Sequence, residues 1–165
     1  MKLTPIFNNI KTRLGEISEI KLITWYNNHD AEGIIHTTPA VFIEFPEAMA
    51  IQQLQGQYQQ MPLKIRLWLI TKILSQADGS VSDTLMAEQE TIAQDIYNLM
   101  HLKRVIDDDG FNVTNSFVRT LCELDMSNPG IVITKQDFEC MAYQRPVYPD
   151  TTTTITGIGI TTVLE

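Results

Sequence analysis

Histidine, cysteine and clustered carboxylates are the side chains with which this chain would do chemistry, and they are sparse. His29, Asp30, Glu32 and His36 fall within one polar loop. Zinc accepts imidazole and carboxylate ligands, but this spacing matches no familiar zinc site, so a solvated loop is the expectation. His101 falls near a predicted helix end, where a cation interacts favourably with the dipole. Cys122 and Cys140 lie in strand interiors with no histidine nearby in sequence. A cysteine nucleophile needs a neighbouring base, so both are expected to be buried structural thiols. Asp107, Asp108 and Asp109 precede Gly110 and crudely suggest a calcium loop. The alternating oxygen ligands and the closing acid of such a loop are missing, and an acidic turn is the expectation. Glu44, Glu123, Asp125 and Glu139 fall on predicted strands, where carboxylates are ordinarily surface groups. No G-x-S-x-G, P-loop, G-x-G-x-x-G or H-E-x-x-H pattern occurs. The reading is therefore not an enzyme: no catalytic residue, no cofactor and no metal site is expected.

The elements that would position these groups are more legible. Residues 4 to 17 read as an amphipathic helix, capped by Thr4, with Pro5 in its first turn. Ile6, Ile10, Leu14 and Ile17 share one face of it. Residues 19 to 26 read as a strand, followed by a polar loop from Asn27 to Thr38. A second strand covers Ala40 to Phe45, with Val41, Ile43 and Phe45 pointing one way and Phe42 and Glu44 the other. Residues 48 to 61 are dense in glutamine and read as an exposed connection extending a long hairpin. In Leu63 to Ile73, Leu63, Ile65, Leu67 and Leu69 form one face. Lys64 and Arg66 lie on the other face, which Trp68 and Ile70 make apolar further along. A long helix is predicted from about Ser82 to Lys103, with Ser80 and Asp83 as a capping box. Its stripe is Leu85, Ile92, Ile96, Leu99 and Met100, and Lys103 and Arg104 close it against the dipole. Strands follow at 116 to 126 and 131 to 143, joined by a turn at Asn128-Pro129-Gly130. Cys122 and Cys140 are equidistant from Ile131 and are expected to be cross-strand neighbours. The alternating side Phe117, Arg119, Leu121, Glu123 and Asp125 reads as a subunit contact.

This order predicts an α+β fold with a mostly antiparallel sheet, helices packed on one face, and an extended C-terminal arm. Residues 1–145 form the domain. Residues 146–165 form the arm, which begins with Pro146 and Pro149 and is then rich in Thr, Ile and Val. An extended tail of this kind is suited to adding a strand to another subunit; the alternatives are that it pairs with its own sheet or frays.

Composition sets further bounds. The 165 residues are 44% hydrophobic and 19% charged, which is a globular composition of about one domain. The formal net charge of -8 argues against electrostatic binding of nucleic acid. No secretory signal is read at the start, because Asn8, Asn9, Lys11 and Arg13 interrupt any apolar core. No apolar run reaches the ~20 residues of a spanning helix, so no membrane partner is expected. Two cysteines indicate no disulfide framework.

The order of elements resembles the tail-terminator and tail-completion proteins of tailed phages and related contractile particles. The helix Thr4 to Ile17, the strand ending Trp25-Tyr26-Asn27-Asn28 and the segment Pro39 to Phe45 carry the resemblance. So do the glutamine-rich link into Leu63 to Ile70, the helix from Ser82 and the hairpin Phe117 to Tyr143. It covers most of residues 3 to 143 and leaves the arm outside. The resemblance implies a homo-hexameric ring that caps the tail tube and joins it to head connector proteins. It implies a virion location, with assembly in the host cytoplasm. DNA would pass through the ring without specific binding, which an acidic surface permits. The family has no catalytic residues, so none are carried over. If the ring reading holds, the interface candidates are Asn27, His29 and His36 in the loop and Gln52 and Gln57 in the link. Arg119 and Glu123 on the strand and Thr151, Ile155, Ile158 and Ile160 in the arm complete them. The alternatives are another head–tail connector, adaptor or baseplate component, and an acidic binding or inhibitor module.

Overall fold

Two fourteen-residue strands, β4 (Gln59–Lys72) and β6 (Ile131–Gln144), pair antiparallel along their whole length and form the centre of the molecule. The computed structural model describes residues 2–27, 37–46, 50–54, 58–72, 82–127 and 130–145. Around the central pair lie β1 (Leu22–Trp25), β2 (Ala40–Glu44), β3 (Gln52–Gln53) and β5 (Val118–Asp125). The sheet order is β1-β2-β4-β6-β5, with β3 pairing β4 off this path. Among the described residues two helices, α1 (Thr4–Leu14) and α2 (Asp83–Met100), complete the α+β fold.

The alternation in β4 determines which side the helices cover. Leu63, Ile65, Leu67 and Leu69 point to one face and pack with Ile6, Ile10 and Leu14 of α1 and Ile92, Ile96 and Met100 of α2. Val41 and Ile43 join them from β2, and Phe138, Cys140 and Ala142 from β6. Opposite parity places Ala40, Phe42, Trp68, Ile70 and Ile133 on the helix-free face as a second apolar cluster. The helices therefore share one face, as the sequence predicts.

Buried polar groups fix α2 on the sheet. Gln89 is buried in mid-helix; its Oε1 accepts from the Thr71 hydroxyl and its Nε2 donates to Thr134 Oγ1 at 2.9 Å. Gln136 Nε2 donates to the Ala93 carbonyl oxygen at 2.8 Å. These bonds are satisfied only in one placement of the helix, so they add register to an otherwise non-directional apolar contact.

Several boundaries differ from expectation. α1 ends at Leu14, and Ile17 is buried just beyond it. Thr4 is not the cap: Leu3 occupies that position without a side-chain hydrogen bond, and Pro5 follows in the first turn. α2 begins after Ser82, which makes no side-chain cap bond, and stops at Met100. Leu102 has a φ of 60°, which no continuing helix allows, so Lys103 and Arg104 lie past the end. Ser80 lies outside the described residues. The glutamine-rich link forms the expected hairpin, with Gln52 opposite Gln60 and Gln53 opposite Gln59.

The sheet is mixed. β1 pairs β2 in parallel, Leu22 opposite Ala40 and Trp25 opposite Ile43. The connection from Tyr26 to Pro39 is long enough for a crossover, whereas an antiparallel pair closes with a short turn. The cysteines are also not neighbours. Asp125 pairs with Ile133, so the β5–β6 hairpin is centred two positions earlier than Ile131. Cys122 consequently faces Gln136, and Cys140 faces Leu63 on the other side of β6. Cys140 is buried and burial pushes its thiol up to about 12, but Cys122 is exposed.

Candidate assembly surface

Register lays out the helix-free face as rows across β2, β4, β6 and β5. Glu44, Arg66, Asp137 and Leu121 form one row; Phe42, Trp68, Lys135 and Glu123 form the next. Ala40, Ile70, Ile133 and Asp125 form a third. The face thus carries an apolar cluster around Phe42, Trp68, Ile70 and Ile133 beside the charged groups Glu44, Arg66, Asp137 and Lys135.

Trp68 stands where the two halves meet. Its indole Nε1 donates to Glu44 Oε2 at 2.7 Å, and Tyr26 stacks on its ring with centroids 4.7 Å apart. Lys135 Nζ lies 4.9 Å from the ring centroid and also binds Asp125 Oδ2 at 3.0 Å. The Ser127 amide and hydroxyl, with Lys135, hold the Asp125 carboxyl well below the usual range.

Asp137 is the charged centre. Its side chain is only 1% exposed, yet Arg66 grips both oxygens, at 2.7 and 2.9 Å, and Lys64 Nζ lies at 3.2 Å. Burial raises the pKa of this carboxyl, but the hydrogen bonds from Arg66 and Lys64 prevail and hold it below the ordinary value. Two partly exposed cations over one buried carboxylate leave no proton to exchange near neutral pH. The ionised carboxylate anchors Arg66 and Lys64 over the sheet.

The β5 strand departs from simple alternation. A bulge between Arg119 and Leu121 inserts Thr120, so Arg119 opposes Phe138 while Leu121 opposes Asp137. Arg119 therefore turns to the helix side, where its guanidinium lies 3.9 Å from the Tyr97 ring centroid. Its backbone amide donates to His101 Nδ1 at 3.3 Å. Glu123 remains on the helix-free side, so the expected common face from Phe117 to Asp125 is split by one extra residue. Phe117 itself is fully buried.

Among the interface candidates, Asn27 is exposed just after β1 and Gln52 is exposed in the hairpin, its Oε1 accepting from Gln60 Nε2 at 2.8 Å. His29, His36, Gln57, Thr151, Ile155, Ile158 and Ile160 lie outside the described residues. Sequence reasoning did not single out Asp137 or Lys135, because their partners are defined by register across strands far apart in the chain.

The remaining chemistry-bearing groups have structural partners. Asp107 Oδ1 accepts from the amides of Asp109 and Phe111, and its carboxylate pairs with Arg145, which also binds Asp109 Oδ2 at 2.8 Å. Gly110, with φ 79°, makes the turn. Among the described residues, no group of three or more His, Cys, Asp or Glu side chains is arranged to hold a metal ion. No described helix is long and apolar enough to cross a membrane. An open groove of about 590 Å³ beside α2 is lined by Glu19, Lys21, Glu88 and Asp95. The Ser18 hydroxyl holds the Glu19 carboxyl below its usual pKa, the direction of a fixed anion and not of a proton donor.

No protein-family model matches the chain, and no curated protein matches it. Among solved structures it is similar in fold to a chain from the virion of a native gene transfer agent (GTA) particle, with a TM-score of 0.51 and 8% identity. The likeness covers 82% of this chain and 84% of that one, so it is not confined to a shared hairpin.

Proposed function

We propose that the chain is a structural virion protein of a phage-like particle, and within that class a tail-terminator-like subunit. In this reading copies of the chain close into a ring, hexameric by resemblance, that caps the tail tube and joins it to the head connector. The observation that carries the proposal is the fold likeness to a chain of a GTA virion over most of both chains. It supports the virion class, and the order of elements supports the finer position. The surface supplies physical support. A net charge of -8 disfavours adhesion of DNA moving through a ring. An exposed sheet edge and a charged sheet face offer directional contacts to neighbours, and no described cluster suggests turnover of a substrate.

The test is recruitment. Purified tail tubes mixed with the chain and imaged by electron microscopy should show one added ring at a tube end and no further growth of capped tubes. Tubes that stay bare, or binding along the whole tube wall, would overturn the terminator position.

A further inference from the structure

The sheet ends in β5, and among the described residues only β6 pairs with it. Native sheets blunt such edges with short strands, charges, proline or bulges. β5 has its bulge and Glu123, yet it leaves Val118 45%, Leu121 38% and Leu124 48% exposed, with Met126 at 57% just beyond. Register puts Val118 and Leu121 on the helix-free side and Leu124 on the helix side, so apolar surface flanks the open edge on both faces.

We propose that this edge receives the C-terminal arm, residues 146–165, of a second copy of the chain as an added β-strand. The arm has the composition for it: Thr151 to Thr154, then Ile155, Ile158, Ile160, Val163 and Leu164, with no Lys or Arg and its prolines confined to 146 and 149. In an extended arm Ile158 and Ile160 face one side and Ile155 and Val163 the other, which matches apolar surface on both sides of β5. β5 is about 27 Å long at ~3.4 Å per residue, and residues 150 to 165 span roughly twice that.

The geometry at the end of β6 favours a second copy over the chain's own arm. β6 runs past the start of β5, and its flank there is already filled: Asn115 N donates to Met141 O at 2.9 Å and Tyr143 N to Val113 O at 2.7 Å. Arg145 is held by Asp107 and Asp109, with its guanidinium 4.8 Å from the Phe111 ring centroid. An arm turning back from this point must pass over residues 113–117 and then run antiparallel to β6, hence parallel to β5. A neighbour's arm is under no such constraint and can enter antiparallel to β5, the more stable pairing. Each subunit then gives one arm and accepts one, a heterologous contact that closes into a ring when the rotation allows. The inference deepens the ring reading by naming its joint. It needs self-association but not the tail-tube position.

Cys122, exposed in the middle of β5, provides the probe, since Cys140 is buried. Full-length variants Ile155→Cys, Ile158→Cys and Ile160→Cys are oxidised across a concentration series and their covalent mass is measured. The expected result is disulfide-linked dimers and higher multimers for at least one position. These should be abolished by adding Cys122→Ser and strongly reduced by adding Leu121→Lys with Leu124→Lys. Circular dichroism of each variant confirms the fold. A disulfide-closed monomer places the arm on its own edge and overturns the proposal. So does the absence of any arm–Cys122 disulfide at all three positions. Multimers that form while the protein fails to cap tail tubes would uphold this joint and reject the terminator position.

Discussion

The two faces of the sheet are built from the same strands and solve different problems. On the helix side, side chains from β2, β4 and β6 meet α1 and α2 in one apolar layer, with Gln89 and Gln136 setting the position of α2. On the other side the same strands present the apolar cluster Ala40, Phe42, Trp68 and Ile70 together with Arg66, Asp137 and Lys135, the last paired with Asp125 of β5. Apolar packing is present on both faces, as a larger layer under the helices and a smaller cluster around Trp68. The ionic half of the opposite face adds little that packing would not supply more cheaply. Its contribution is geometric: the paired charges hold long side chains in place on the sheet.

The largest expected effects compare the two faces at their apolar positions. Phe138→Ala, on the helix side, and Trp68→Ala, on the helix-free side, remove large buried side chains. Each should cost about 3–5 kcal/mol in urea unfolding. A Trp68→Ala cost within ~0.5 kcal/mol would instead make the whole helix-free face surface.

A smaller effect tests the ionic half. Asp137→Asn removes the carboxylate under Arg66 and Lys64. Both cations are partly exposed and can turn to water, so the loss should be about 2 kcal/mol, below that of a fully buried pair. The pH dependence has a defined sign. The folded pKa of Asp137 lies below its ordinary value, so this contribution is present at neutral pH. It fades as pH falls below about 4, the unfolded aspartate range, and is gone once pH is below the folded value. The wild type should therefore lose more stability than Asp137→Asn on acidification over that window. Parallel curves would mean the pair does not hold the fold.

On the helix side, Gln89→Ala should cost about 1–3 kcal/mol, because it leaves the Thr71 and Thr134 hydroxyls without their partner. Thermal unfolding measures it. The smallest stability effect belongs to the open edge. Leu121→Lys with Leu124→Lys should change unfolding free energy by less than ~1 kcal/mol, since both residues are already exposed at the sheet edge. The same pair should strongly reduce self-association. Stability and assembly would then separate by region.

What was legible in the sequence follows from the range of the interactions. The alternation from Leu63 to Leu69 against Lys64 and Arg66 is local, and it shows β4, its two faces and the side taken by the helices. The glutamine-rich hairpin was legible for the same reason. The parallel pairing of β1 with β2 was not, because loop composition between residues 26 and 39 does not say whether the chain turns back or crosses over. The bulge at Thr120 was invisible for a related reason: one extra residue moves Arg119 to the opposite face from Glu123, and nothing in the residue types announces it. The hairpin centre, misjudged by two positions, shifted the partner of Cys122 by four, from Cys140 to Gln136. The ion pairs around Asp137 depend on that same long-range register, Arg66 and Asp137 being 71 positions apart.

The central claim is that this chain is an assembly subunit whose business is contact with copies of itself and with a particle. Light-scattering mass over a concentration series, with electron microscopy of the same samples and of samples mixed with purified tail tubes, tests it most directly. The account predicts closed rings of about six subunits, in solution or at the tube end, from heterologous contacts that close on rotation. A chain that stays monomeric at every concentration and leaves the tubes bare would contradict it.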